Sequence, residues 1–419
     1  MQRRSLVRQI AQTTLALTLA LSAGCTSRSQ PQGEAGATAP PAQQATKELA
    51  MDFRREAINL NGTWDVLRDH PDEPLWETGT IRRLGPWRPV SVPGTLLPDE
   101  SQAVGRETHC AWARKTFEVS PAQMRRQAVL KWGCIRFGAI AWVNGRQIAQ
   151  HEPIGPHTAL LPAGTLRAGE NEIVLKVPGW AGVPKGEAGW PLVPTGGSTQ
   201  GWGAKAPGII DDIWIEFHDG LYLKYILAIP DFRKGEVTFR IWPDAIGELP
   251  SELSLTVELE APDNEHILAE STLALRGRGE PVEIVVSVDK PIAWTWREPR
   301  LYRAVVRAKN RSGKRLDDVG FTFGMRQVEV MDGHYRLNDR PLWLRGSNLV
   351  NEWNWGDTFN REVKRYIVDE ARAMNLNCFR THTLPPVTSW ADVCDRYGTM
   401  ILAEMPVLYN YQKPKLTPE

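Results

Sequence analysis

The sequence predicts a multidomain chain: an all-β sandwich of the jelly-roll sort, a second all-β sandwich, and then a region of alternating strands and helices. Three observations predict it. Residues from about 52 to 219 carry short strands separated by turn residues, with no convincing helix of three turns. Residues from about 220 to 325 repeat the pattern over roughly the length of an immunoglobulin-like sandwich. After about 326 the order becomes strand, helix, strand, helix, strand, which implies a parallel sheet. At 419 residues the chain exceeds one ordinary domain.

The first 25 residues read as an export signal. Arg3, Arg4 and Arg8 precede an apolar run, Ile10 to Ala23, that is shorter than the roughly 20 residues a membrane span needs. Leu21-Ser22-Ala23-Gly24-Cys25 resembles the bacterial lipobox, in which cleavage precedes a lipidated cysteine. The small residues before Cys25 favour that over ordinary signal cleavage. Thr26 follows, not an Asp, and the resemblance to other lipoproteins then implies an outer-membrane lipoprotein in the periplasm or at the cell surface. Residues 26–48, rich in Ser, Gln, Pro, Ala and Gly, read as a flexible tether.

In the first sandwich, assigned to 49–219, Asn59-Leu60-Asn61-Gly62-Thr63-Trp64 predicts a hairpin turn, and Ala128 to Trp132 predicts a strand. Ile140 to Val143 leads into a second turn at Asn144-Gly145. Glu172 to Val177 alternates polar and apolar, as a half-buried strand does. In the second, assigned to 220–325, Glu236 to Ile241, Leu253 to Leu259 and Tyr302 to Ala308 alternate in the same way. Beyond 326, Leu342 to Gly346 predicts a strand. Asn360 to Asn375 predicts a helix with Val363, Tyr366, Ile367, Glu370 and Met374 on one side and Ala371 beside them. Asn377 to Arg380 predicts a second strand, Val387 to Tyr397 a second helix ending at Gly398, and Met400 to Glu404 a third strand.

Composition narrows the function. With 50 basic and 49 acidic residues, the chain lacks the clustered positive excess of a nucleic-acid binder. Beyond Cys25, the cysteines 110, 134, 378 and 394 form no metal-ligand spacing and read as buried free thiols. No cofactor or metal motif is complete. The 17 Trp outnumber both Phe and Tyr. Indole faces stack on the C–H faces of sugar rings, and they also fill β-sandwich cores; both readings stand.

At this point the sequence resembles glycoside hydrolase family 2. The resemblance rests on Leu60-Asn61-Gly62-Thr63-Trp64, Val90-Ser91-Val92-Pro93-Gly94, Trp142-Val143-Asn144-Gly145 and Gly208-Ile209-Ile210-Asp211-Asp212-Ile213. It is strongest in Pro299-Arg300-Leu301-Tyr302, Phe323-Gly324-Met325-Arg326, Leu337-Asn338-Asp339-Arg340-Pro341, Leu344-Arg345-Gly346-Ser347-Asn348, Met374 to Arg380 and Cys394 to Gly398. It implies a jelly-roll domain, an immunoglobulin-like domain, and a (β/α)8 TIM barrel begun by residues 326–419. It also implies a retaining β-glycosidase that acts in carbohydrate degradation.

Barrel enzymes place working residues at the C-terminal ends of strands. Asn348 follows the first predicted strand, Arg380 and His382 the second, and Glu404 the third. By resemblance the Asn and Arg line a sugar pocket; Arg380 also suits an internal ion pair with Glu404, and the two roles are compatible. Trp353 and Trp355 follow strand one, as a sugar platform or as packing beneath the loop. The family draws its two catalytic carboxylates from the fourth and seventh strands. Only about 94 residues follow the second sandwich, against roughly 250 for a complete barrel. The expectation is therefore a fragment without catalytic residues, with a carbohydrate substrate and a lipid-anchored membrane association. A glycan-binding lipoprotein without catalysis is the alternative. Val350-Asn351 stands where many members have His-Glu. Thr381-His382-Thr383-Leu384-Pro385 shifts the family's His by one, and Gln200 to Pro207 lacks an Asp that galactosidases and glucuronidases carry.

Overall fold

The computed structural model describes residues 55–68, 86–98, 110–151, 155–179, 206–245, 248–349, 360–382 and 385–404. All of them belong to one compact unit, Ala50–Glu419.

The first twelve strands are β1 (Ala57–Asn59), β2 (Gly62–Arg68), β3 (Arg88–Val92), β4 (Gly94–Thr95), β5 (Cys110–Val119), β6 (Gln127–Trp132), β7 (Ala139–Val143), β8 (Arg146–His151), β9 (His157–Leu160), β10 (Gly169–Pro178), β11 (Gly208–Ile209) and β12 (Ile213–His218). They form a four-stranded sheet, β1-β12-β6-β9, a six-stranded sheet, β3-β2-β5-β10-β7-β8, and the short pair β11-β4. The two large sheets share one core, with Trp64 and Ala113 from one meeting Trp132 and Ile215 from the other. Asn144 and Gly145 both take positive φ, 50° and 81°, the backbone a two-residue turn needs to match strand twist, and they close the β7–β8 hairpin.

Asn61-Gly62 departs from the hairpin expectation. β1 pairs with β12, whereas β2 pairs with β3 and β5, so this turn carries the chain from one sheet to the other. The Asn61 side chain holds the crossing, accepting from the Ile213 N–H at 3.1 Å and donating to Asp212 at 2.8 Å.

The second sandwich contains β13 (Leu221–Asp231), β14 (Glu236–Ala245), β15 (Glu252–Glu260), β16 (His266–Ala274), β17 (Val282–Ser287), β18 (Leu301–Lys309) and β19 (Arg315–Gly324). Sheets β13-β14-β17 and β16-β15-β18-β19 enclose a core that includes Phe239, Leu255, Ile284 and Tyr302. The alternation read in β14 is real: Val237, Phe239 and Ile241 are buried between more exposed neighbours.

A ribbon of β20 (Val328–Met331), β21 (His334–Leu337) and β22 (Arg340–Pro341) follows. Then come β23 (Gly346–Leu349), helix α1 (Arg361–Ala373), β24 (Cys378–Thr381), helix α2 (Thr388–Tyr397) and β25 (Met400–Leu402). β23, β24 and β25 pair in parallel, as the strand–helix alternation requires.

Two details here correct the expectation. Leu342 to Arg345 lie outside the strand, which begins at Gly346; Leu342 instead packs with Trp294 and Leu337, joined by Leu344 and Met400, at the end where the parallel strands start. Helix α1 forms where its spacing predicts and is capped by Asn360; Ala371 is buried as read, but it is joined by Lys364 and Val368 in place of the predicted residues. Tyr366 and Met374 stay exposed. Cys110, Cys134, Cys378 and Cys394 are free thiols, and all but Cys110 are buried. Of the eleven tryptophans in the described residues, Trp64, Trp112, Trp132, Trp142, Trp294 and Trp390 are buried, so core packing accounts for about half of them.

Candidate functional site

The C-terminal ends of the three parallel strands bring Asn348, Arg380, His382 and Glu404 together. Gly346 makes this possible at the start of the sheet: a Cβ there would meet the Cys378 carbonyl oxygen at 2.8 Å, so only glycine permits so close an approach of β23 to β24. Asn348 lies in register with Arg380, and Arg380 with Leu402, which puts the three on one face. Asn348 and Leu402 are exposed there. The alternating residue Phe379 points the other way and meets the Trp390 ring of α2 at 6.2 Å.

Arg380 is held in place. Its Nε donates to Glu404 Oε1 and its Nη1 to Asn348 Oδ1 at 3.3 Å. Glu404 is positioned in turn by its own N–H, which donates to Thr381 Oγ1 at 3.1 Å. Its second oxygen lies 3.8 Å from His382 Nδ1, and the His382 N–H donates to the Leu349 carbonyl at 3.3 Å. The side chains of Arg380, Glu404 and His382 remain 42%, 31% and 43% exposed. Chemically this is a planar, permanently charged donor fixed by two acceptors and still open to solvent, which suits it to recognise hydroxyl or carboxylate oxygens. Glu404 has partners at both oxygens and acts as an anchor for Arg380. Trp353, Trp355 and Cys25 lie outside the described residues, as does most of Gln200 to Pro207. Among the described residues no three His, Cys, Asp or Glu side chains are grouped to hold a metal ion.

Behind the site is a buried polar cluster that the sequence reading did not single out. Asp211, between β11 and β12, accepts from the Thr388 N–H at 2.9 Å and so caps α2 from the first sandwich. Lys364 of α1 is 1% exposed and bonds to Ser389 of α2, the second residue of that helix. Arg361 reaches Asp212 at 3.0 Å and Asp392 at 2.8 Å. Burial lowers the Lys364 ammonium to about 8 against the opposing pull of Asp211. Burial, aided by the negative Asp212, raises the Asp211 carboxyl. The available signal was Lys364-Val368-Ala371 at helical spacing, which reads as a stripe once a lysine is admitted to it.

A second cluster joins the two sandwiches. Arg55 donates to Asp317 at 2.9 and 2.6 Å, to Glu216 at 3.2 Å and to the Leu223 carbonyl. Glu216 also meets Lys131 at 2.7 Å and His218 at 3.2 Å. Burial alone would raise the Glu216 carboxyl, but His218, Lys131 and Arg55 together hold it far below the usual carboxylate range. Trp294 ties the second sandwich to α2: its Nε1 donates to the Asp395 carbonyl at 2.8 Å, while Arg326 lies over its ring and pairs with the Asp395 carboxylate at 2.8 Å.

This mostly-β chain carries parallel β/α units after its two sandwiches, with polar groups gathered at the C-terminal ends of the parallel strands. Residues 221–326 match Glycosyl hydrolases family 2, and residues 328–415 match the family 2 TIM barrel domain. The β-galactosidase of Photobacterium profundum is 33% identical over 118 residues, covering 28% of this chain and 12% of that protein. The β-galactosidase of Alteromonas mediterranea is 21% identical over 382 residues, covering 82% of this chain and 35% of that protein. A solved β-glucuronidase from Ruminococcus gnavus, in complex with D-glucaro-d-lactam, superposes with a TM-score of 0.68 at 20% identity, over 85% of this chain and 60% of that one. The chain thus carries two successive glycoside hydrolase family 2 domains, one of them immunoglobulin-like and the other the TIM barrel domain. It spans 12% and 35% of the length of the two β-galactosidases.

Proposed function

We propose that the whole protein is a retaining β-glycosidase in carbohydrate degradation, in which Asn348, Arg380, His382 and Glu404 form one wall of the sugar pocket. The observation that carries this reading is the Arg380 guanidinium, fixed by Asn348 and Glu404 at the C-terminal ends of parallel strands, where barrel enzymes do their chemistry. Trp353 and Trp355 would extend the wall as a stacking surface. The first sandwich, residues 49–219, would be the jelly-roll domain that accompanies such barrels, ahead of domains at 220–325 and 326–419. Retaining hydrolysis needs an acid/base and a nucleophilic carboxylate about 5–5.5 Å apart. In this reading both come from barrel strands other than the three described.

The relatives are named for β-galactosides and β-glucuronides. The Val350-Asn351 departure and the missing Asp between Gln200 and Pro207 argue for a different β-linked sugar. The test is hydrolysis of a panel of aryl β-glycosides by the product of the complete reading frame, with the first-formed anomer read by proton NMR. Release of the β-anomer is the expected result. An α-anomer, or no hydrolysis of any member of the panel, would refute the proposal. We further infer a lipid anchor at Cys25, with residues 26–48 as tether: Cys25→Ala should move the protein from the membrane to the soluble fraction, and an unchanged distribution would remove the anchor.

A further inference from the structure

At the opposite end of the parallel strands, where they begin, lies a cavity of about 320 Å³. That is at the lower end of the size range of small-ligand sites, about 300 Å³ and upward. Its walls include Trp296, Arg297, Arg340, Trp343 and Arg345. Three of these are cationic, and no Asp or Glu is among the described residues that line it.

Several exposed arginines elsewhere have carboxylate partners, Arg233 with Glu329 and Asp339, Arg240 with Glu283, Arg278 with Asp244, and Arg311 with Glu252, whereas Arg125, Arg146, Arg167 and Arg276 are exposed and form no ion pair among the described residues. Arg297 and Arg340 are exposed and form no ion pair among the described residues. Like charges gathered without counter-charge repel, and an anion relieves that repulsion.

The aromatic half of the cavity is built with equal care. Arg345 is fixed by Asn375, its Nε donating to the carbonyl at 2.7 Å and its Nη2 to Oδ1 at 3.0 Å. It lies 5.6 Å from the Trp296 ring centre, and Arg297 lies 4.7 Å from the same ring. Those contacts occupy Trp296 and leave Trp343 as the open indole, 74% exposed. The Trp343 backbone is pinned by Asn377, whose Nδ2 donates to the Trp343 carbonyl at 2.9 Å. A large indole in water, on a pinned backbone, presents a flat apolar surface in the same cavity as two guanidinium groups that form no ion pair among the described residues.

We propose that this cavity binds a saccharide bearing an anionic group, a uronate carboxylate or a sulfate ester, with Arg297 and Arg340 holding the anion and Trp343 stacking on the sugar ring. A planar fork of N–H donors matches both anions, and an indole face matches the apolar face of a pyranose. The site is separate from the cluster around Arg380, so it stands whether or not the glycosidase reading does.

The experiment is a titration of the whole chain, followed by tryptophan fluorescence and calorimetry, with a glucuronate-terminated disaccharide, its methyl ester, a sulfated disaccharide and inorganic sulfate. The acidic disaccharides should bind, the methyl ester should bind about tenfold more weakly, and inorganic sulfate should bind more weakly still. Arg340→Gln and Trp343→Ala, both at exposed positions, should each raise the Kd by about tenfold. Equal affinity for acid and ester, or no binding by either acid, overturns the proposal, and this comparison uses only the unmutated chain. Inorganic sulfate binding as tightly as the sulfated disaccharide overturns the saccharide part. An unchanged Kd in Arg340→Gln overturns the assignment of the anion site.

Discussion

Lys364 carries a charge into a place that solvent scarcely reaches, and its neighbours explain how. Asp211 and Asp212 come from the first sandwich, Ser389 and Asp392 from α2, and Arg361 from its own helix. The Lys364 pKa falls and the Asp211 pKa rises. Both shifts run toward the neutral forms, so desolvation outweighs the mutual attraction. The consequence for stability has a definite sign. With the folded-state value at about 8 and the unfolded value at 10.5, the folded chain binds fewer protons across that window, and stability rises with pH through it. Below pH 8 the cost of the buried charge is borne in full. Urea unfolding at pH 7.5 and pH 10.5 should show the original chain gaining up to about 3 kcal/mol relative to Lys364→Met between the two. Parallel pH dependence of the two proteins would mean that Lys364 is not the buried titrating group. Glu216 works the other way. Its depressed pKa contributes stability above the ordinary carboxylate range, and that contribution is lost as the pH falls toward strong acid.

The ends of elements carry much of the specificity. Helix α2 begins on a borrowed cap, the Asp211 carboxylate, and ends at Gly398 with φ 81° and ψ 65°. A Cβ at Gly398 would meet the Trp296 carbonyl oxygen at 2.3 Å. Gly398→Ala therefore combines a left-handed backbone with a backbone clash and should cost about 2 kcal/mol or more; thermal unfolding at the original Tm would show it. Elements of this kind are legible in sequence. Gly398, the period-two alternation of β14 and the spacing within α1 all announce themselves locally. What stays hidden is set by distant chain. The buried face of α1 holds Lys364, whose charge is met by Asp211, far back in the first sandwich, so the local spacing of Val368 and Ala371 alone does not bring a lysine into the stripe. The strand read at Leu342 begins at Gly346 because Leu342 and Leu344 join Trp294 in a separate cluster. The placement of Asn348, Arg380, His382 and Glu404 was legible because strand ends are where a barrel gathers its polar groups. The bond from Arg380 to Asn348 and its pairing with Glu404 depend on how three separate strands pack side by side, which no local stretch of sequence encodes.

At the scale of the molecule, three polar joints hold the domains in register. The Arg55–Glu216–Asp317 cluster ties sandwich to sandwich, the Trp294–Asp395 contact ties the second sandwich to α2, and Asp211 with Asp212 ties the first sandwich to both helices. Two of these joints end on the helices that flank β24, the strand that bears Arg380. The sandwiches thus brace the sheet whose strand ends form the candidate pocket, and the aromatic, cationic cavity lies at the other end of the same strands. The most direct test of the account is kcat/KM for the preferred aryl β-glycoside, measured on the product of the complete reading frame with and without Arg380→Ala. Loss of a fixed donor in the pocket should lower kcat/KM by about 100-fold while leaving the urea unfolding midpoint in place. An Arg380→Ala protein that hydrolyses the substrate as fast as the original would place the sugar pocket elsewhere.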